Sequence, residues 1–278
     1  MNFTMNKVLF RALLAVVGAV LILSSCSSGE EQEPVNHRDR AVIFSALRFG
    51  ESELRVTGNE WDAKDAIGVY MIPESMDLTS TLYKNYKYIG ADKGPKTVFQ
   101  AAAQEGCLKI PQDASSVKFV AYYPYHQEAV TSLTVDVADQ NFKDIDLLYS
   151  KNLSGVTDLT PAEDLVLKFE HVLSLLNIRF VSEHGQNIVV SGLMLKGLKT
   201  EATLNLADGT VTSSGEVQNI SAGETGETVD FILAPQSVTA GEFQIVFMYN
   251  GKKYTWKNDK TISFESRKKQ SFKITVKE

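Results

Sequence analysis

Apolar and polar residues alternate along most of this chain, and turn residues interrupt the alternation at short intervals, which is the pattern of short antiparallel strands. Val42 to Leu47, Ile67 to Ile72 ahead of Pro73, and Val117 to Tyr123 ahead of Pro124 read as strands. Thr203 to Ala207 runs into Asp208-Gly209 and returns through Thr210 to Thr212, and Phe243 to Tyr249 runs into Asn250-Gly251 and returns through Lys253 to Lys257. Asp-Gly and Asn-Gly between alternating runs predict hairpins, because both turn positions of a type I′ turn need positive φ. Helical periodicity is scarce. Leu165 to Phe180 is apolar on every face and is expected to form two strands, Leu165 to Glu170 and Ser174 to Val181, with Phe169 and Leu176 inward. Thr157 to Asp164, with its charges and Pro161, breaks the rhythm and marks a boundary. The expected fold is all-β, with two tandem β-sandwich domains at residues 38–160 and 161–278.

The N-terminus departs from this pattern. Lys7 and Arg11 precede an apolar run from Ala12 to Leu23, too short to span a bilayer, and Leu23-Ser24-Ser25-Cys26 closes it. Residues 1–25 read as a signal peptide, and the tetrad resembles a bacterial lipobox, with cleavage between Ser25 and Cys26 and diacylglycerol on the Cys26 thiol. Removing 25 of 278 residues leaves 253, and losing Lys7 and Arg11 leaves 26 basic against 34 acidic side chains, a formal charge of −8. Residues 26–37 form an acidic tether, similar to the surface-export signal of Bacteroidetes lipoproteins. With Cys26 acylated, Cys107 is the remaining thiol and no intrachain disulfide is expected.

With 44% hydrophobic and 22% charged residues, the chain can bury a substantial core. An acidic chain whose densest basic run is Arg267-Lys268-Lys269 is not built to neutralise phosphates, so no nucleic-acid partner is expected. His37, His126, His171 and His184 stand at no metal-ligand spacing, and no catalytic or nucleotide motif is present. Asp144 and Asp146 would share one side of a strand, too few oxygen ligands for calcium. Neither an enzyme, a metal nor a cofactor is expected, apart from the lipid on Cys26. Tyr83, Tyr86, Tyr88, Tyr122, Tyr123 and Tyr125 could stack on sugars, but their expected role is core packing.

Several stretches together resemble one family. Arg55 to Met71 (RVTGNEWDAKDAIGVYM), Tyr83…Asn85…Tyr88, Ala121 to Pro124, Asp146-Leu147-Leu148, Leu167 to His171 and the closing strand Phe272 to Val276 are similar, in this order, to the fimbrillin-like proteins of Bacteroidetes, subunits of type V pili. Leu54 stands where that family has Thr, and Lys64 where it has Gly. The resemblance implies sandwiches of transthyretin-like topology, other fimbrial subunits as partners in a homo- or hetero-polymer, an outer-membrane and cell-surface location, and a contribution to adhesion. It also implies that an Arg-specific surface protease removes the first strand and that a neighbour's C-terminal strand fills the vacancy.

Both strands can be pointed to. Ala41 to Phe49 would be the removable strand, with Val42, Phe44 and Ala46 on one face; Arg55 is the family-matched cleavage position and Arg48 the second candidate. Phe272, Ile274 and Val276 alternate with Lys273, Thr275 and Lys277 and form the candidate donor strand. The same residues could equally be the last strand of their own domain. Two other roles stay open: an anchor subunit that keeps its lipid and first strand, and a monomeric surface lipoprotein that binds a glycan or protein.

Overall fold

A computed structural model describes residues 41–49, 60–79, 83–103, 106–113, 115–222 and 226–277. The signal peptide, Ser25, Cys26, the tether and Arg55 all lie outside the described residues.

The architecture is all-β, as the alternation predicts. The chain opens with β1 (Phe44–Phe49), β2 (Ala66–Pro73), β3 (Tyr86–Gly90), β4 (Lys96–Ala101), β5 (Val117–Tyr123) and β6 (Ser132–Asp136). A single helical turn, α1 (Phe142–Ile145), leads to β7 (Leu148–Ser150), β8 (Val166–His171) and β9 (Ser174–Ser182). The long β10 (Ser191–Asn205) and β11 (Val211–Ser221) form one predicted hairpin, and β12 (Thr228–Leu233) and β13 (Gln236–Val238) follow. The other predicted hairpin joins β14 (Gln244–Tyr249) to β15 (Lys252–Lys257), before β16 (Ile262–Phe264) and β17 (Lys269–Val276). Asn250 and Gly251 both have positive φ, 48° and 74°, as a type I′ turn requires.

Seven strands close into a barrel in the order β1-β4-β3-β2-β5-β7-β8. One pairing closes it. β1 lies antiparallel to β4 and parallel to β8, so it joins the two ends of an otherwise open sheet. The sheets also cross the expected division at residue 160. β8 follows that division in sequence yet completes the barrel, while β6 precedes it and pairs with β10 in the second layer. There β10 carries β11 on one edge and shares the other between β14 and β6, and β9 sits between β12 and β17.

Two apolar clusters result. Val42, Phe44, Ala46, Trp61, Val69, Phe99, Phe119 and Phe169 fill the barrel. The outward residues of β2, β5 and β7, among them Tyr70, Ile72, Tyr122 and Tyr149, pack instead with β6, β9, β10, β14 and β17. β2 and β5 are therefore covered on both faces, which explains why their sequences are nearly continuous apolar runs. Gly68 is opposite Tyr122, and a Cβ there would lie 2.1 Å from the ring, so glycine leaves room for the tyrosine ring on the outer face of the strand.

Candidate functional site

The site is the slot that holds β1. Its backbone is bonded along both sides: Phe44 to Leu47 pair with Phe99 to Lys96 of β4, and Ser45 to Phe49 pair with Val166 to Glu170 of β8. Val42 N–H donates to the Leu108 carbonyl and Ser45 N–H to the Leu165 carbonyl, both at 3.0 Å. Without β1 the barrel would become an open sheet with two unpaired edges, β4 and β8.

The even-numbered residues of the strand point inward, as the alternation of Val42, Phe44 and Ala46 predicts; all three are buried. Phe44 meets Tyr88 and Phe119 edge-on, with ring centres 5.3 and 5.0 Å apart. Two wall residues grip the backbone. The Trp61 indole N–H donates to the Ala46 carbonyl at 3.1 Å, and the Tyr88 hydroxyl donates to the Val42 carbonyl at 3.2 Å while accepting Leu108 N–H at 3.1 Å. Large side chains such as Val42 and Phe44 each contribute about 1.5–3 kcal/mol on burial.

Arg48 is the fourth inward residue. Its side chain is only 5% exposed, its guanidinium lies 4.3 Å from the Trp61 ring centre and 5.0 Å from that of Tyr123, and it pairs with Asp65 at 3.3 Å. Asp65 also accepts the Asp62 N–H at 2.8 Å and the Tyr123 hydroxyl at 3.3 Å. Burial, reinforced by the Asp65 charge and opposed by Arg48, pushes the Tyr123 hydroxyl up to about 12. In this arrangement the Arg48 side chain is enclosed and its backbone is paired with β8.

β17 is the other strand of interest, and it is paired within the chain. It runs parallel to β9, from Lys269 opposite Leu175 to Val276 opposite Ser182. Ile274 and Val276 are buried, while half-buried Phe272 packs against Trp256 and Phe243 at 5.5 and 6.3 Å. Lys273 and Thr275 face solvent, as predicted.

Elsewhere one expectation is corrected. Asp144 and Asp146 do not line a strand, because the chain turns through α1; Asp146 is buried and its carboxylate lies 2.7 Å from the His171 Nδ1. His171 is thus an interior partner joining the start of β7 to the end of β8, which residue spacing in sequence could not show. Among the tyrosines, Tyr88, Tyr122 and Tyr123 are core residues, the Tyr122 hydroxyl accepting from the Asn85 amide at 2.7 Å and donating to the His126 carbonyl at 2.8 Å. Among the described residues no group of three or more His, Cys, Asp or Glu side chains is placed to hold a metal ion. Within the same residues no helix is long and apolar enough to cross a membrane.

The all-β architecture agrees with comparisons to known proteins. Residues 55–278 match the family described as fimbrillin-like. The chain is 31% identical over 242 residues to the "Putative fimbrium subunit Fim1C" of Bacteroides uniformis, covering 83% of this chain and 77% of that protein. A crystal structure of a cell adhesion protein, so described provisionally, from Bacteroides uniformis shares 25% identity with a TM-score of 0.66, over 86% of this chain and 93% of that one. A second such protein from Bacteroides ovatus, at 20% identity, has the same fold with a TM-score of 0.65, over 84% of this chain and 91% of that one. The chain therefore belongs to the fimbrillin-like family of cell-surface fimbrial and adhesion proteins.

Proposed function

We propose that the chain is the lipoprotein precursor of a fimbrial subunit, exported to the outer membrane with diacylglycerol on Cys26 and assembled there by replacement of its first strand. Its role is structural and adhesive rather than catalytic. The observation that carries this reading is that β1 fills the barrel as an inserted strand, bonded on both edges, while covalently joined to the wall only through residues 50–60. Cleavage after Arg55 would convert it into a separable peptide, and an inserted donor strand would restore the same main-chain bonds. Enclosure of Arg48 favours Arg55 over Arg48 as the processed bond. The family match begins at Arg55 and leaves β1 outside it.

Treating the lipid-free full chain with an Arg-specific protease is expected to release the segment ending at Arg55 and to yield oligomers that survive SDS. Chains that are cut at Arg55 and stay monomeric would exclude polymerisation by this route. A second reading, an anchor subunit, retains β1, and the depth of its burial supports it. Fibres isolated from cells should then contain subunits with acylated Cys26 at the N-terminus if the chain is an anchor, and subunits beginning at Val56 if it is a stalk component.

A further inference from the structure

The slot holds a charged position among its apolar ones. Val42, Phe44, Ala46 and Arg48 share one side of β1, and the cage around the guanidinium comes from outside that strand: Trp61 and Asp65 from the segment before β2, and Tyr123 from β5. Departure of β1 would remove the cation and leave the carboxylate behind. Asp65 would keep only neutral donors, the Asp62 N–H and the Tyr123 hydroxyl. The neighbouring lysines pair with Asp62 instead, Lys143 at 2.9 Å and Lys93 at 3.8 Å, and Lys143 reaches Asp65 only through its longer-range charge. An enclosed carboxylate without its counter-charge is costly, so an incoming strand that supplies a cation there gains over one that does not.

The position before it is also restrictive. Ala46 is fully buried with its carbonyl held by the Trp61 indole, and a larger side chain would have to displace packed neighbours. Resting on the strand-replacement reading above, we propose that the slot selects a strand of the pattern apolar-x-apolar-x-small-x-Arg/Lys, and that β17 of a second copy of this chain is not its donor.

β17 fails that pattern in the registers parallel to β8. Placed parallel to β8 with Phe272, Ile274 and Val276 in the positions of Val42, Phe44 and Ala46, it puts valine where alanine fits and Glu278 against Asp65. Two carboxylates in one enclosed site oppose each other's ionisation. Sliding it by two residues puts Ile274 at the alanine position and Val276 against the carboxylate. A one-residue slip turns Lys273 and Lys277 into the barrel and the apolar row out of it.

The test uses the full chain with a site-specific protease sequence placed within residues 50–59, so that it does not depend on processing at Arg55. After cutting, exchange of β1 for labelled peptides is followed by fluorescence anisotropy. The peptide of residues 41–50 should enter, its Arg48→Met form should bind about tenfold or more weakly, and Arg48→Lys should fall between them. The peptide of residues 270–278 should bind poorly and gain about tenfold on Glu278→Arg. In the Asp65→Asn protein the difference between the native and Arg48→Met peptides should vanish; if that variant does not fold, the peptide series on the unaltered wall decides. Equal binding of the native and Arg48→Met peptides to the unaltered wall, or tight binding of unaltered 270–278, would overturn the selection while leaving strand replacement standing. Failure of every peptide to enter, with β1 locked in place, would overturn both.

Discussion

Arg48 and Asp65 show how far a single pair can govern this fold. Their separation of 17 residues is bridged because β1 and the turn before β2 meet at one end of the barrel. Breaking such a pair costs more than the pair contributes, since an enclosed charge is left alone. Asp65→Asn in the full chain is expected to lower stability by about 2–4 kcal/mol in urea unfolding, and Arg48→Met by less, because the methionine still covers Trp61 and Tyr123. The tyrosines give a pH signature. Burial pushes Tyr122 and Tyr123 up to about 12 from an ordinary 10.0, and raises Tyr70 and Tyr149 as well. A group with a raised native pKa stabilises the fold fully below its unfolded pKa and loses that contribution as pH rises towards the native one. Stability should therefore be level with respect to these groups at neutral pH and fall from about pH 10 to about 12, with tyrosinate absorbance appearing late and together with unfolding. Alternation alone revealed Val42, Phe44 and Ala46 as an inward row. It could not reveal that Arg48 continues the row, because the acid and the rings that make this tolerable come from Trp61, Asp65 and Tyr123 on other segments.

At the level of strands, what is local was legible and what is distant was not. The hairpins at Asp208-Gly209 and Asn250-Gly251 are written in two residues each, and the apolar run from 165 to 180 divided as expected into β8 and β9. The parallel pairings of β1 with β8 and β17 with β9 have no such local code, since Ser45 meets Val166 and Leu175 meets Lys269 across long stretches of intervening chain. The helical turn α1 was missed because four residues carry too little periodicity to register. Two glycines separate backbone from packing effects. Gly251→Ala meets open space at φ 74° and should cost about 1 kcal/mol through backbone conformation alone. Gly68→Ala drives a methyl group into the fixed Tyr122 ring and should cost about 2–3 kcal/mol, measured by chemical denaturation of both variants side by side.

Across the whole molecule, the wall formed by β2 and β5 serves both apolar clusters. The composition announced a chain able to bury a large core, and the break at Thr157 to Asp164 marked a boundary between two domains. Strand pairing runs across that point, β6 one way and β8 the other. A fragment of residues 41–160 would lack β8 and expose the outer faces of β2 and β5. It is expected to bind a hydrophobic dye and to lack near-ultraviolet circular dichroism, whereas the full chain should unfold in a single calorimetric transition. Two separate transitions, or a folded fragment, would show that the halves are independent.

The parallel alignment of β1 with β8 has a mechanical consequence. Suppose a neighbouring molecule is pulled by flow while its strand occupies this slot, and the load is drawn off through the opposite ends of the two aligned backbones. The ladder is then strained lengthwise, so its bonds resist together instead of peeling apart one after another. β8 passes through Val172 and Leu173 directly into β9, where β17 is again aligned in parallel, so traction entering one layer has a short covalent route to the other. Endurance under tension would then be set by the rate at which a whole strand slides free, a kinetic property that equilibrium stability does not report.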